Sequence, residues 1–275
     1  MLATDLAGVA AAAGYQVVGL THAQLDVTQP GQVLQMLENV MPDVVVHTPG
    51  IGVDACEVHP EEGYRLHTWA SGVVARQCQR IGSAFVYIST CGLFGDEVKF
   101  YSEYDPVSLK TRYARSKFMG EQAAKQWCYR TFIIRPGWLF GGTLGHRRNF
   151  VYQRFLEAQK EPVLRSACDK FGSPTFTQDL AKKVLEILET GEYGLYHVSN
   201  SGSASRFEYV KYIVEAFGLR TPVEPVDSSD FPRAAPVPDC ELLDNLNLKF
   251  AGLAPLGPWQ EAISRYVATL KGNRR

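Results

Sequence analysis

Ala84-Phe-Val-Tyr-Ile-Ser-Thr90 is a short apolar run that ends in two hydroxyl residues, and Tyr113-Ala-Arg-Ser-Lys117 follows it on a helical pattern. Near-continuous Val/Ile/aromatic runs of this kind read as strands buried on both faces, as in a parallel sheet. Asp43-Val-Val-Val-His47 and Thr131-Phe-Ile-Ile-Arg135 have the same character. Helical patterns separate them, from Glu61 to Arg80 and from Thr111 to Trp127. Nearer the start, Asp5 to Ala13 reads as a helix, Gln16-Val-Val-Gly-Leu20 as a strand, and Pro30 to Asn39 as a helix with Thr28 as its N-cap. The alternation predicts an α/β fold with a Rossmann-like, doubly wound parallel sheet.

After about residue 140 the rhythm loosens. Gln178 to Thr190, Arg206 to Phe217 and Pro258 to Leu270 read as helices, the last with Pro at an N1-like position. Tyr196 to Ser199 reads as a strand. Val223 to Cys240, rich in Pro and Asp, reads as a loop. The expected organisation is a dinucleotide-binding domain over 1–140 and a mainly substrate-binding part over 141–275, with some segments of the latter returning to the sheet.

The 275 residues carry a formal net charge of −1. No strong field steers such a chain to nucleic acid or to an anionic membrane. The basic runs Arg147-Arg148 and Asn273-Arg274-Arg275 read as solvated surface. No apolar run reaches the about 18 residues of a membrane span, and no secretory signal pattern opens the chain. Six cysteines, without Cys-x-x-Cys or zinc spacing, read as reduced thiols of a cytoplasmic protein.

The chemistry comes from the Tyr113/Lys117 pair. Residues i and i+4 share a helix face. A phenol with a pKa of about 10 is a poor acid near neutrality, and a nearby ammonium favours its ionised form. A hydroxyl at the strand end, Thr90, can hold a carbonyl oxygen while hydride reaches its carbon. The arrangement implies ketone reduction, or the reverse, with a nicotinamide cofactor.

A nucleotide-binding sheet normally opens with a strand and a Gly-rich turn whose backbone receives the pyrophosphate. Met1-Leu2-Ala3 reads as the tail of that turn, so the first strand and the Gly-rich loop are expected to be missing. After Leu20 come Thr21-His22-Ala23, with no acidic residue for a ribose 2′-hydroxyl and no Arg for a 2′-phosphate. NADPH is expected to be accepted, with NADH as the second choice.

Leu25-Asp-Val-Thr28, Pro42-Asp-Val-Val45, Val53-Asp-Ala-Cys-Glu57, Ser89-Thr90, Tyr113/Lys117, Arg135-Pro-Gly-Trp-Leu-Phe-Gly141, Asn149-Phe150, Asp169 to Thr175 and Pro232-Arg-Ala-Ala-Pro236 together resemble the dTDP-4-dehydrorhamnose reductase family of the extended short-chain dehydrogenases. The resemblance covers nearly the whole chain. It implies reduction of the 4-keto group of a nucleotide-diphospho-sugar, a step toward dTDP-rhamnose and polysaccharide. It implies Thr90, Tyr113 and Lys117 as the catalytic group. Asp26 and Val27 would line the adenine end of the cofactor, Thr48, Pro49 and Gly50 would pass beside it, and Tyr113 and Lys117 would reach its nicotinamide end. Cys91, Trp138, Asn149 and Arg233 would border the substrate. The resemblance implies the nucleotide-sugar as partner; a homodimer is a further expectation, and charge and hydropathy predict no nucleic acid or membrane partner.

Two departures stand out. Cys91 occupies a position where the family often has Asp beside the reacting carbonyl, and it reads either as a reactive thiol or as an inert buried one. His67 stands for a usual Asn and reads as a structural residue. Asp54 and Glu57 read as helix caps. Asp169 reads as ordering its loop or meeting substrate, Trp138 as stacking on ligand or packing in the core, and Arg233 as a diphosphate clasp or an exposed loop residue. No carboxylate cluster is nominated for the magnesium that some relatives bind. Two other readings keep the same fold: a non-catalytic NADP-binding regulatory subunit, and a nucleotide-sugar epimerase or dehydratase.

Overall fold

The computed structural model describes residues 1–146 and 149–272. The two basic runs, at residues 147–148 and 273–275, lie outside the described residues. Four parallel strands form the main sheet in the order β1 (Val44–His47), β2 (Ala84–Ile88), β3 (Thr131–Pro136) and β4 (Gly194–Val198). Their registers are regular, with Val46 beside Val86, Val86 beside Phe132 and Ile134 beside Tyr196.

Side chains alternate between the two faces of a strand, and here both faces are apolar. Val86, Ile88, Phe132 and Ile134 meet Leu180, Val184 and Ile187 of the helix Thr177–Thr190 and Leu2 and Leu6 of the helix Leu2–Ala12. On the other face, Phe85, Tyr87 and Ile133 meet Val73, Val74, Ala75 and Ala124 from the helices Ala70–Ile81 and Arg112–Trp127. Helices on both faces of a parallel sheet make this the Rossmann-like α/β arrangement that the alternation predicts. A third cluster fills the other side of the molecule. It includes Trp138, Phe140, Phe155, Tyr209, Trp259 and Tyr266.

Several local expectations are corrected. Gln16 to Leu20 forms no strand: the stretch is exposed throughout, and among the described residues no strand pairs with it. A short apolar run without a ladder partner has no outlet for its backbone hydrogen bonds except water. Thr28 does not cap the helix Pro30–Val40. Its hydroxyl donates to Asp26 Oδ1 at 2.7 Å, and Gln29 holds the cap position with Pro30 behind it. The stretch predicted as one helix from Glu61 to Arg80 is interrupted by a π turn at Arg65–Trp69. The Pro-rich loop begins as a strand, Val223–Val226, parallel to Leu164–Ala167, and Pro225 is tolerated there because that two-stranded ladder is all edge. Pro258 ends a short strand, Leu256–Pro258, just ahead of the helix Trp259–Gly272.

Candidate active site

The C-terminal ends of parallel strands are where ligands bind in open α/β sheets. β2 ends at Ile88, so Ser89 and Thr90 stand at that edge. The helix Arg112–Trp127 is started by Thr111, whose hydroxyl accepts the Ala114 N–H at 2.9 Å. Glu57 adds a second cap from another segment, accepting the Arg112 N–H at 2.5 Å. Tyr113 and Lys117 are thereby fixed on the first turns of a helix packed against the sheet.

A cleft of about 790 Å³ opens there, a size suited to a nucleotide-sized ligand. Thr90, Cys91 and Tyr113 line one wall with Trp138. Arg206 and Glu241 meet Trp138 on that wall, and Arg165, Lys170 and Arg233 also line the cleft. Of the sequence-predicted site residues, the cleft therefore gathers Thr90, Cys91, Tyr113, Trp138 and Arg233.

The electrostatics differ from the simple pairing expected of Tyr113 and Lys117. Burial raises the Tyr113 phenol above its ordinary range, and a hydrogen bond with Thr90 pulls it partly back. Lys117 also has partners of its own. Its ammonium donates to the Ile88 carbonyl at 2.6 Å and sits 4.5 Å over the Tyr87 ring. Burial pushes Lys117 down to about 8, with Glu121 acting to raise it. An ammonium has three N–H groups, so Lys117 keeps donors for a ribose hydroxyl beyond the one given to Ile88.

His67 ties the neighbouring loop to this helix. Its Nε2 accepts the Ile51 N–H at 3.1 Å, and its Nδ1 lies 2.9 Å from Ser116 Oγ. Its ring stands edge-on to Tyr113 at 5.3 Å. Burial lowers His67 to about 3, so it is neutral and able to accept. Thr48, Pro49 and Gly50 belong to the loop that this imidazole fastens, and Gly50 lies directly against it. The His67 tether, the open donors of Lys117 and the strand-end hydroxyl all fit the nicotinamide end of a dinucleotide.

Other expected residues have protein partners of their own. Asp26 Oδ1 accepts the Thr28 N–H and hydroxyl at 2.9 and 2.7 Å, and Val27 packs on the core beside Val33 and Leu37. Neither lines the cleft. Asn149 is fully buried. Its Oδ1 accepts the Tyr152 N–H as N-cap of the helix Phe150–Ala158, while its amide donates to Tyr266 at 2.6 Å. Asn149 is a helix cap in the core, not a cleft residue. Asp54 caps nothing. It clasps Arg233 at 3.0 and 2.7 Å and accepts the Ala235 N–H. Asp169 orders its loop by accepting the Ser228 N–H and hydroxyl at 3.0 and 2.6 Å. Cys91 is buried, and its thiol is pushed well up by burial and then by Glu241, which marks it as unreactive.

Arg206 and Glu241 escaped the sequence reading. Arg206 sits 3.4 Å over the Trp138 ring, and Glu241 accepts the Trp138 indole N–H at 2.5 Å. The one local signal was the capping box Ser205/Glu208 that starts the helix Arg206–Phe217 and places Arg206 on its first turn.

Known proteins are similar in sequence and fold. The spore coat polysaccharide biosynthesis protein SpsK of Bacillus subtilis is 33% identical over 93% of this chain and 89% of its own length. The dTDP-4-dehydrorhamnose reductase of Mycolicibacterium smegmatis is 33% identical over 99% of this chain and 84% of its own. The crystal structure of the dTDP-4-dehydrorhamnose reductase of Bacillus anthracis, in complex with NADP, superposes with a TM-score of 0.93 at 29% identity, covering 98% of this chain and 95% of that one. The family described as RmlD substrate binding domain matches residues 1–271. With that match over almost its whole length, the chain belongs to the RmlD substrate binding domain family.

Proposed function

We propose that this chain is an NADPH-dependent ketoreductase that reduces the 4-keto group of a nucleotide-diphospho-sugar, with dTDP-4-dehydrorhamnose as its substrate. One observation carries the reading. A phenol and a hydroxyl, Tyr113 and Thr90, share a single cleft with the cationic side chains Arg154, Arg165, Lys170, Arg206 and Arg233. Such a cleft suits a ligand that is a ketone at one end and a diphosphate at the other, since guanidinium groups take phosphate oxygens bidentately. The named relatives support the same chemistry.

NADPH, when bound, supplies the hydride to the carbonyl carbon. Thr90 and Tyr113 hold the carbonyl oxygen by their hydroxyls. Tyr113 gives its proton to that oxygen as negative charge develops there. Lys117, buried and charged, stabilises the phenolate left behind and holds the ribose. Asp26 and Val27 lie toward the adenine end, and Thr48 to Gly50 pass beside the cofactor. Residues 1–140 would hold the dinucleotide and 141–275 most of the sugar nucleotide. The proposal extends to a cytoplasmic homodimer. Six free cysteines suit that compartment, and exposed Trp69, Met119 and Trp127 offer apolar surface to a second copy.

Tyr113→Phe tests the assignment. Removing a positioned acid should slow turnover of dTDP-4-dehydrorhamnose about 10²–10⁴-fold, read as NADPH oxidation, while ligand affinity changes little. Near-normal turnover by the variant would remove Tyr113 from the mechanism.

A further inference from the structure

Glu241 ends a two-residue strand, Cys240–Glu241, that runs parallel to Phe171–Gly172. This pairing brings its carboxylate to the cleft wall beside Thr90 and Cys91. The two oxygens are not equivalent. Oε2 accepts the indole N–H of Trp138 at 2.5 Å, a charge-assisted bond that fixes the group. Oε1 faces the Cys91 thiol at 3.8 Å, and a thiol is a weak donor. A Cβ added at Gly92 would lie 2.9 Å from Oε1 and 3.5 Å from Thr90 Oγ1. The carboxylate oxygen and the hydroxyl that holds the carbonyl therefore face the same small space over Gly92.

A carboxylate accepts and does not donate. It cannot hold the carbonyl oxygen, which also only accepts. It requires a donor, and the donor nearest a sugar carbonyl is the hydroxyl on the adjoining ring carbon. We propose that Glu241 is a specificity-determining residue of this cleft: its Oε1 accepts a hydrogen bond from the sugar hydroxyl beside the carbonyl held by Thr90 and Tyr113. The assignment rests on the ketoreductase reading above and deepens it. The preferred substrate is a sugar with a hydroxyl next to the ketone. A sugar that is deoxy at that carbon offers Oε1 no donor beyond the weak Cys91 thiol, and sites built to bind a hydroxyl discriminate strongly against its loss.

The experiment compares dTDP-4-dehydrorhamnose with its 3-deoxy counterpart in steady-state NADPH oxidation, for the native chain, Glu241→Ala and Glu241→Gln. The native chain should prefer the hydroxylated sugar by about tenfold or more in kcat/KM, as expected for a hydrogen bond to a charged group. Glu241→Ala should lose most of that preference, chiefly through KM, with any loss from the freed Trp138 shared by both sugars and the hydroxylated sugar losing about tenfold more. Glu241→Gln keeps an oxygen for the indole but not the charge, and its preference should fall between the two. It also serves as the test should the alanine variant fail to fold. Equal loss on both sugars, the signature of a mere prop for Trp138, would overturn the assignment. A native chain that reduces both sugars equally would overturn it too and leave the ketoreductase reading standing. A native chain that reduces neither would defeat both.

Discussion

Behind Thr90 and Lys117, the ion pair Arg135–Glu121 is 4% and 0% exposed, whereas across the cleft Arg233–Asp54 is 41% and 51% exposed. The buried pair is bidentate, at 2.8 and 2.7 Å, and Glu121 also takes the Ser89 hydroxyl at 2.5 Å. It thus sits directly under the strand end that carries Thr90. Elsewhere the cleft is bordered by more exposed pairs, Arg233–Asp54, Arg165–Asp230 and Lys170–Asp239. The contrast separates two tasks. Proton chemistry needs groups held in one geometry, and a satisfied buried network gives that. A polyanion needs charge that can be re-aimed, and weak exposed pairs allow it because a phosphate can replace the carboxylate at little cost.

The largest expected effect breaks the buried pair. Arg135→Met removes the bidentate partner of Glu121 in the core and should cost about 3–5 kcal/mol of stability. Denaturant unfolding measures it, and a loss under about 1 kcal/mol would show that this wall is held by packing instead.

A pH titration sharpens the same contrast. With its folded-state value near 8, Lys117 is an ammonium below that pH and neutral above it. The rate that depends on this charge, read as kcat/KM, should fall about tenfold per pH unit beyond the value near 8. Stability should move the other way. The unfolded lysine titrates at about 10.4, so the unfolded chain binds more protons between about 8 and 10.4, and this group's contribution to stability rises with pH there. A rate that falls together with stability would point to unfolding rather than to Lys117.

The smallest effect belongs to the exposed pair. Asp54→Asn should change stability by no more than about 1 kcal/mol. Freeing Arg233 for phosphate should alter KM for the sugar nucleotide and leave kcat nearly unchanged. Thermal unfolding and steady-state kinetics check both, and a fall in kcat would tie the loop to the chemistry.

The same division explains what the sequence made legible. β2 and β3 could be read because double burial leaves continuous apolar runs, and the Tyr113 helix because its period is local. Gln16 to Leu20 looks like such a run but has no ladder partner among the described residues, and strand formation depends on the partner. Asn149 was misassigned because the Asn side chain that caps a helix is the same one that can line a cleft. Glu241 could not be found at all. It stands 103 residues from Trp138 and 150 from Cys91, and no local pattern encodes that meeting. Where the residue after Ser89-Thr90 is Cys91 rather than a carboxylate, the acid arrives from the far end of the chain.

One further consequence lies in how Trp138 is held. A Cβ on Gly172 would fall 2.2 Å from its ring, so the indole rests directly on bare backbone. Arg206 covers it, and Glu241 anchors its N–H. Such a side chain is packed and hydrogen-bonded before any ligand arrives. Ordering a mobile side chain on binding costs about 0.5–1.5 kcal/mol. Here that entropy is already surrendered when the chain folds, and the cleft meets its ligand with the indole in place.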